Sequence, residues 1–342
     1  MELLNTLYVT TQRAYLHLDH DTVRVELERE TILRVPLLHL EGLVCFGNVP
    51  VSPGLIQRCG EDGRAIVWLD RNGHFKGRLT GRAGGNVMLR RAQHEALSDP
   101  ERTIEIARSI VGGKVQNERH VVQRAAREAV TVHDAGSLRG AASSLSSSLI
   151  GLKKASTLDE VRGREGEAAR VYFAVFGSMV RADRVSFDLD GRNRRPPRDR
   201  MNALLSFSYA LLLSDCVAAL EGVGLDHQVG YLHSLRAGRP ALGLDLMEEF
   251  RPVVADRLAL SLVNRRQISV DDFDVYPGGG VLLNEGGRRA VIAAYQKRKQ
   301  ESVRHLVLDR SVPFGLVPHL QARLLARHLR GDLEYYLPFR VR

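Results

Sequence analysis

The chain has 342 residues, which is enough to bury a full hydrophobic core and to divide into two domains. Its formal net charge of +9 points to an anionic partner such as a phosphate backbone, although a basic protein without such a partner has the same composition. Cys45, Cys59 and Cys216 are too few and too scattered for a disulfide framework or a zinc knuckle, so we expect three small buried residues in a reducing cytoplasm.

Membrane insertion is not expected from the sequence. Residues 1–5 lack the basic segment that opens a signal peptide, and no apolar run approaches the length of a transmembrane helix. We therefore predict a cytoplasmic protein that makes no membrane contact.

Residues 1–92 are predicted to form a β-rich domain. Short β-branched segments bounded by turn residues are expected as strands at 7–11, 15–18, 23–27, 32–36, 65–69 and 74–79. The last two would form a hairpin around Asn72-Gly73, which favours a tight turn. Ser52 followed by Pro53 predicts a short helix that ends near Cys59. No catalytic residue types concentrate here, so we expect a packing or dimer surface.

Residues 93–100 are predicted to be a linker, and a helical pattern follows. Apolar residues recur on one side of 101–126, with a break expected at Gly112-Gly113. The later segment 202–222 is apolar nearly all round, so it is expected to be a helix buried on every side. Tyr209, in its middle, is interpreted as a core tyrosine or as a residue beside a catalytic site. A hairpin is expected between residue 275 and residues 281–283.

The segment 157–177 predicts an amphipathic helix with an anomaly. Thr157 and Glu160 form a capping-box pattern, and Gly177 offers a stop. Glu165 falls within the apolar stripe, where a bare carboxylate costs several kcal/mol. Two interpretations are open: a buried pair with Arg162 or Arg164, or a bound cation. The flanking glycines 163 and 166 suggest that something approaches the backbone closely.

A second group of candidate residues lies in segment 225–252. His233 is followed by Asp245 and Glu248, which share a face if this region is helical. Pro252 would clash with the carbonyl of Glu248, so a helix here is expected to kink or to begin late. A single histidine is more often a satisfied core residue than a ligand, but the two carboxylates raise the case for a site.

Basic residues concentrate in two further places. The proline-containing loop 192–200 carries five arginines, whose fork geometry suits phosphate. Near the end of the chain, His319, Arg323, Arg327 and Arg330 form a single-signed stripe on a predicted helix. Each could also be an ordinary solvated surface.

Taken in order, these pieces resemble the Cas1 family of CRISPR-associated, spacer-acquiring nucleases and integrases, and most of all the form found in type I-C systems. The resemblance covers nearly the whole chain. It is carried by short motifs in a fixed order: Phe46-Gly47-Asn48-Val49 with Ser52, Lys114 with Asn117, Gly163-x-Glu165-Gly166, Pro196-Pro197, Asn202-Ala203-Leu204-Leu205-Ser206-Phe207, Gly230-Tyr231-Leu232-His233, Asp245-Leu246-Met247-Glu248-Glu249-Phe250-Arg251-Pro252 and Gln321-Ala322-Arg323.

The resemblance implies an α+β protein, with a β-rich N-terminal domain (1–92) followed by a larger all-α catalytic domain (101–342), and a homodimer built largely through the former. It implies one divalent-metal site with Glu165, His233 and Glu248 as ligands and Asp245 as an auxiliary acidic residue. Many relatives carry Asp at the position of Glu248, so the longer side chain could shift the metal or give Asp245 a larger share of the ligation. A small partner, Cas2, would bridge two dimers.

Two carboxylates and one imidazole suit Mg²⁺ or Mn²⁺. The expected activity is insertion of short duplex DNA fragments into a CRISPR repeat array, by attack of a 3′-hydroxyl on a phosphodiester. Alternatives are a hydrolytic nuclease on branched or single-stranded nucleic acid, and a non-catalytic DNA-binding scaffold. Contacts to the DNA backbone are expected from basic residues in three segments, namely Arg192, Arg194, Arg195, Arg198, Lys297, Arg298, Arg323 and Arg327.

Overall fold

A computed structural model describes residues 5–71, 75–79, 81, 87–189, 191–193 and 196–341. The chain divides into two compact units, Met1–Gly84 and Gly85–Arg342. The predicted hairpin turn Asn72-Gly73 and the predicted DNA contacts Arg194 and Arg195 lie outside the described residues.

The first unit contains seven strands and one helix within its described part. Their bounds are β1 Asn5–Val9, β2 Tyr15–Asp19, β3 Thr22–Leu27, β4 Glu30–Pro36, β5 Leu40–Phe46, α1 Pro53–Glu61, β6 Ala65–Leu69 and β7 Phe75–Leu79. Each of the six predicted strands corresponds to one of these. The hydroxyl of Ser52 accepts from the backbone N–H of Leu55 at 3.2 Å, which caps α1 as the Ser-Pro pattern predicts.

Two sheets build the first unit. Strands β2, β3 and β4 form an antiparallel meander. The other sheet has the order β1-β5-β6-β7, in which β1, β5 and β6 are parallel and β7 is antiparallel to β6. Leu16, Leu43 and Ile66 are among the residues of the common core, together with Cys45 and Cys59. These two cysteines are free and buried, as predicted.

The second unit is mostly helical. Its helices are α2 Val87–Ser98, α3 Pro100–Arg127, α4 Val132–Lys153, α5 Leu158–Ala174, α6 Arg200–Val223, α7 Ala241–Glu248, α8 Arg257–Asn264, α9 Glu285–Gln300 and α10 Val317–Leu329. A π-helical turn, Arg251–Asp256, joins α7 to α8. Pro252 has no N–H to donate, so the regular helix cannot run through it, and the predicted disruption is present.

Three predictions about this unit need correction. Residues 93–100 are not a linker, because α2 runs to Ser98, Asp99 caps α3, and α3 begins at Pro100. Nor is α3 broken at Gly112-Gly113. Finally, the unit is not all-α, since it also holds the antiparallel hairpins β8 (Phe273–Val275)–β9 (Val281–Leu283) and β10 (Ser302–His305)–β11 (Arg310–Pro313). The first of these hairpins was predicted.

Helix α6 packs in the middle of the second unit. It is the one helix among the described residues that is long and apolar enough to cross a membrane, contrary to the expectation that no run approaches that length. Within its most apolar window, 61% is buried inside the protein. Leu204, Leu211 and Leu220 are completely covered, which is the packing of a core helix.

The C-terminal segment packs against α3 at Gly113. A Cβ added to Gly113 would lie 2.6 Å from Pro338 Cβ, whereas one added to Gly112 would lie 3.8 Å from Leu152 Cδ2 on α4. Four residues after Gly113, Asn117 Nδ2 donates to the carbonyl of Phe339 at 2.9 Å, and Asn117 Oδ1 accepts from the N–H of Val341 at 3.0 Å. Gly113 therefore serves a close approach between the helix and the segment.

These adjacent glycines give a matched test of that packing. Gly113→Ala should lower the free energy of unfolding by about 1–3 kcal/mol, because the new methyl overlaps Pro338 and one of the two must move. Gly112→Ala has ordinary contact distances and should be neutral or stabilising by up to about 1 kcal/mol through helix propensity. Urea unfolding followed by circular dichroism measures both. Equal effects at the two positions would contradict the account.

Candidate functional site

Helix α5 presents Glu165 to the interior of the second unit. The helix starts with the predicted capping box, in which Thr157 and Glu160 satisfy each other's backbone N–H groups. Glu165 lies at the edge of the buried stripe, with its side chain 28% exposed. Its partner is Lys114, and neither Arg162 nor Arg164 pairs with it. A Cβ at either flanking glycine, 163 or 166, would meet nothing within 4 Å, so the predicted close approach is not made by this chain.

Lys114 from α3 joins two of the predicted site residues. Its ammonium is within hydrogen-bond distance of Glu165 Oε1 and lies 2.8 Å from Glu248 Oε2. The lysine side chain is only 6% exposed. Burial acts to lower the pKa of Lys114, but Glu248, Glu118 and Glu165 outweigh it and raise that pKa above its ordinary value. Lys114 is therefore a charged, buried link between α3, α5 and α7.

Asp245 holds the loop that carries His233. Asp245 is fully buried, and its Oδ2 accepts the backbone N–H groups of Tyr231 at 2.6 Å and Leu232 at 3.0 Å. Its Oδ1 accepts the backbone N–H of His233 at 3.0 Å and lies 2.7 Å from His233 Nδ1. A Cβ at Gly230 would lie 2.8 Å from Asp245 Oδ2, so this tight turn needs glycine. All these contacts make Asp245 a support for the imidazole.

Glu248, the last residue of α7, lies where these groups meet. Its Oε1 is 3.2 Å from Arg251 Nη2 and 3.8 Å from His233 Nε2. Its Oε2 is buried and faces the Lys114 ammonium at 2.8 Å. Burial alone would raise the pKa of Glu248, but Arg251, Lys114 and His233 hold it at about 2.

Two of the three predicted ligands, Glu165 and Glu248, thus contact Lys114, and the third, His233, faces Glu248. Among the described residues, no three His, Cys, Asp or Glu side chains already share a coordination point. What the fold brings together is Glu165, Glu248 and the Nε2 edge of His233, with Asp245 behind the imidazole.

Next to this cluster, Tyr209 has the partner that its hydroxyl requires. It donates to Asp256 Oδ1 at 2.5 Å, and Tyr172 donates to Asp256 Oδ2 at 3.0 Å. Burial raises the pKa of Asp256 to about 6. The guanidinium of Arg251 lies 4.9 Å from the centre of the Tyr209 ring. The ring therefore helps to hold the guanidinium that pairs with Glu248. Tyr209 is a core tyrosine that supports the site through Arg251.

A buried network behind Glu248 attaches the C-terminal segment to the site. Glu249 accepts from the hydroxyl of Tyr336, from the N–H of Phe339 at 2.7 Å and from Gln321 Nε2 at 3.0 Å. Asn117 Nδ2 donates to the carbonyl of Glu249 at 2.8 Å. Burial raises the pKa of Glu249 to about 8. Glu249, two residues before the π-helical turn, is therefore held by α3, by α10 and by the C-terminal segment.

The basic residues predicted to contact DNA differ in their surroundings. Arg192 is engaged inside the protein, because it donates to the Asn193 carbonyl at 2.7 Å and to the Ser206 hydroxyl at 3.2 Å. Arg298 is 12% exposed and donates to the Val253 carbonyl at 2.8 Å. The remaining described members are exposed to solvent: Arg198, Lys297, Arg323 and Arg327.

Sequence reasoning had missed two charged residues of the cluster, Lys114 and Arg251. Both appeared only as parts of family motifs. A third buried group, Glu118, lies one helical turn after Lys114, and its Oε2 has no hydrogen-bond partner among the described residues. A lysine and a glutamate four apart on one helix usually indicate an exposed pair, so the spacing alone gave no signal of burial.

Comparison with known proteins identifies the family and the fold. The family described as "CRISPR associated protein Cas1" matches residues 7–297. A CRISPR-associated endonuclease Cas1 from Moorella thermoacetica is 58% identical over 340 residues, covering 99% of both chains. The chain belongs to the Cas1 family. A second Cas1 endonuclease, from Rhodospirillum rubrum, is 48% identical over 342 residues, covering 99% of this chain and 98% of that protein.

Solved structures share the fold. A Cas1 protein from Thermotoga maritima superposes with a TM-score of 0.82 at 27% identity, and the match covers 96% of this chain and 97% of that one. A casposase bound to its integration product superposes with a TM-score of 0.81 at 22% identity, over 97% and 93% of the two chains. The chain is therefore a mixed α and β protein of the Cas1 family and a nuclease by membership of that family.

The buried carboxyl of Glu118 should make the stability of this Cas1 chain depend on pH. Burial raises the pKa of Glu118 from its ordinary 4.5 to about 8, so the folded chain binds more protons than the unfolded chain between these values. The stabilisation is therefore complete below pH 4.5 and is lost as the pH rises through about 8. Glu118→Gln should flatten this fall in the free energy of unfolding, measured by urea titration in EDTA at several pH values. Glu167→Gln, an exposed change on α5, is the control; a wild-type slope in Glu118→Gln would contradict the prediction.

Proposed function

We propose that this Cas1 chain is a metal-dependent DNA endonuclease and integrase that inserts short duplex fragments into a CRISPR repeat array. The observation that carries the proposal is the pairing of Glu165 and Glu248 with one buried cation, Lys114, while His233 Nε2 lies 3.8 Å from Glu248 Oε1. Two carboxylates and an imidazole, from separate helices and a loop, are donor types that a divalent ion accepts.

The donor set fits Mg²⁺ or Mn²⁺. Glu248 Oε2 is buried and paired with the Lys114 ammonium, and the pKa of Glu248 of about 2 keeps it ionised at neutral pH. His233 contacts Asp245 through Nδ1 and leaves Nε2 facing Glu248, which is the arrangement of a ligating histidine with a supporting carboxylate. In this proposal Glu165, His233 and Glu248 are the ligands and Asp245 positions His233. Binding requires the Lys114 ammonium to leave the two carboxylates, because like charges repel.

The bound ion would supply Lewis-acid stabilisation of the charge that develops on the phosphodiester. The residues of the chain then have separate tasks. Glu165 and Glu248 provide charge and orientation, and Asp245 holds the imidazole. Arg251 keeps Glu248 in place through Oε1. Lys114, once released, is a cation available to a phosphate oxygen. The attacking group is a DNA 3′-hydroxyl in integration or water in nicking.

The proposed partners follow from the family and from the charge. Double-stranded DNA, as incoming fragment and as repeat array, suits a chain of net charge +9. We also propose a homodimer through the β-rich unit and a complex with Cas2. A chain of the solved Cas6-RT-Cas1–Cas2 complex has this fold, with a TM-score of 0.82 at 22% identity. Assignment to the type I-C form and a cytoplasmic location are proposed on the same family grounds.

Glu165→Gln and His233→Ala should each lower the rate of 3′-end joining to a supercoiled plasmid by about 100-fold or more, since each removes several kcal/mol of transition-state stabilisation. The assay measures joined product in Mn²⁺ or Mg²⁺, with and without Cas2. Glu167→Gln, on the same helix as Glu165 but paired with Arg164, should keep full activity.

The alternatives separate in the same assay. Nicks without joined ends, again lost in Glu165→Gln, would favour a hydrolytic nuclease. DNA binding without nicked or joined product in the wild-type chain, unchanged in both Glu165→Gln and His233→Ala, would mean that the cluster is structural and that the chain is a DNA-binding scaffold.

A further inference from the structure

An arginine cluster on the helical unit has too few acidic partners. It is built by the C-terminal half of α3, the start of α8 and the end of α9, which supply Arg124, Arg127, Arg257 and Arg298. None of these except Arg298 was predicted to bind a ligand. The cluster lies outside the group of Glu165, His233 and Glu248.

The ion pairs of this region leave an excess of positive charge. Glu128 serves two arginines, because Arg124 Nε lies 2.9 Å and Arg181 Nη1 lies 3.3 Å from its two oxygens. Glu301 pairs with Arg298. Two carboxylates therefore neutralise part of a group of five arginines.

Two of the arginines make no hydrogen bond and no ion pair in the described part of the chain. These are Arg257, which is half-buried, and Arg127, which is exposed. Burial, followed by the charges of Arg298 and Arg124, lowers the pKa of Arg257 to about 10, although the more weakly acting charges of Glu301 and Glu128 oppose this shift. Burial and the charges of Arg257, Arg127 and Arg124 likewise lower the pKa of His120, so these groups are close enough to repel one another.

Arg298 is the fixed member of the cluster. Its guanidinium lies 4.4 Å from the centre of the Phe314 ring and donates to the Val253 carbonyl at 2.8 Å. With so little of the side chain exposed, it contributes charge behind the accessible arginines rather than a direct contact. A protein holds like charges together in this way at a cost in stability, and a bound polyanion offsets that cost.

We propose that Arg124, Arg127 and Arg257, backed by Arg298, bind consecutive phosphates of the nucleic acid on which this chain acts. Arginine suits this task because its planar fork matches phosphate oxygens. The inference rests on the proposed function and adds to it a second contact site beside the metal cluster.

The site lies at a useful distance from the proposed chemistry. Arg124 follows Lys114 by ten residues on one uninterrupted helix, which corresponds to about 15 Å along the axis. At about 3.4 Å of axial rise per phosphate on one strand, that distance spans roughly four phosphates. Arg257 directly follows Asp256, the acceptor for Tyr209 and Tyr172. The cluster would hold the strand on one side of the reacting phosphate. An acidic protein partner is disfavoured because the site continues along α3 from Lys114, which pairs with two of the proposed metal ligands.

The test measures the affinity of the full-length chain for a DNA duplex over a series of KCl concentrations in EDTA. Arg127→Gln and Arg257→Gln should each weaken binding by about tenfold at 0.1 M salt and reduce the slope of log affinity against log salt by about 0.9. Arg257→Lys keeps the charge and should keep most of the slope. Arg139→Gln removes an exposed arginine from α4, outside the cluster, and should change neither quantity.

The exposed position of Arg127 keeps the test valid if Arg257→Gln fails to fold. Wild-type slopes in Arg127→Gln and in a folded Arg257 variant would overturn the phosphate site while leaving the proposed function intact. Wild-type salt slopes in these variants, together with lost binding of an acidic protein, would overturn the phosphate site in favour of a protein interface. Absence of any salt-dependent DNA binding by the wild-type chain would overturn the proposed function and the site with it.

Discussion

The contact of the Lys114 ammonium with Glu165 and Glu248 is the interaction on which the candidate site depends. Carboxylates from α5 and α7 repel each other in a buried setting unless a cation lies with them. Lys114 supplies one such charge and Arg251 supplies a second, on Glu248 alone. The cluster is thus electrically balanced without a ligand, and it remains compact. In the proposed function a divalent ion would take the place of the lysine, since the two carboxylates that it needs are already held together.

Two adjacent glutamates show how the surroundings decide the charge of a buried carboxyl. Glu248 is surrounded by Arg251, Lys114 and His233, and its pKa is about 2. Glu249 meets only neutral donors, from Tyr336, Gln321 and the backbone of Phe339, and burial raises its pKa to about 8. The first is therefore a charged group that faces the site, and the second is a structural anchor for the C-terminal segment. Pro252 and the π-helical turn follow directly, so both roles are fixed within one short stretch.

Local patterns predicted the elements of the fold well and their interior contacts poorly. Strands β2, β3 and β6 and the cap of α5 follow from alternation and from capping residues, which act over a few positions. Strand β5 escaped because it is buried between two parallel neighbours, and such a strand shows no alternation. The pair Gly112-Gly113 suggested a break, yet Gly113 serves the approach of Pro338, far away in sequence. Convergence on Lys114 likewise depends on the packing of three helices.

The same distinction applies to the basic residues. A spacing of three and four finds Arg323 and Arg327 on the exposed face of α10, because one helix places them together. No spacing relates Arg124 to Arg257, whose charges act on each other only because α3 packs against the π-helical turn that leads into α8. Nor does the sequence distinguish Arg192, whose fork is occupied by Asn193 and Ser206, from an arginine that is open to a ligand. An arginine binds phosphate only if the fold leaves its donors unused, so the count of positive charges is less informative than the pairs they have already made.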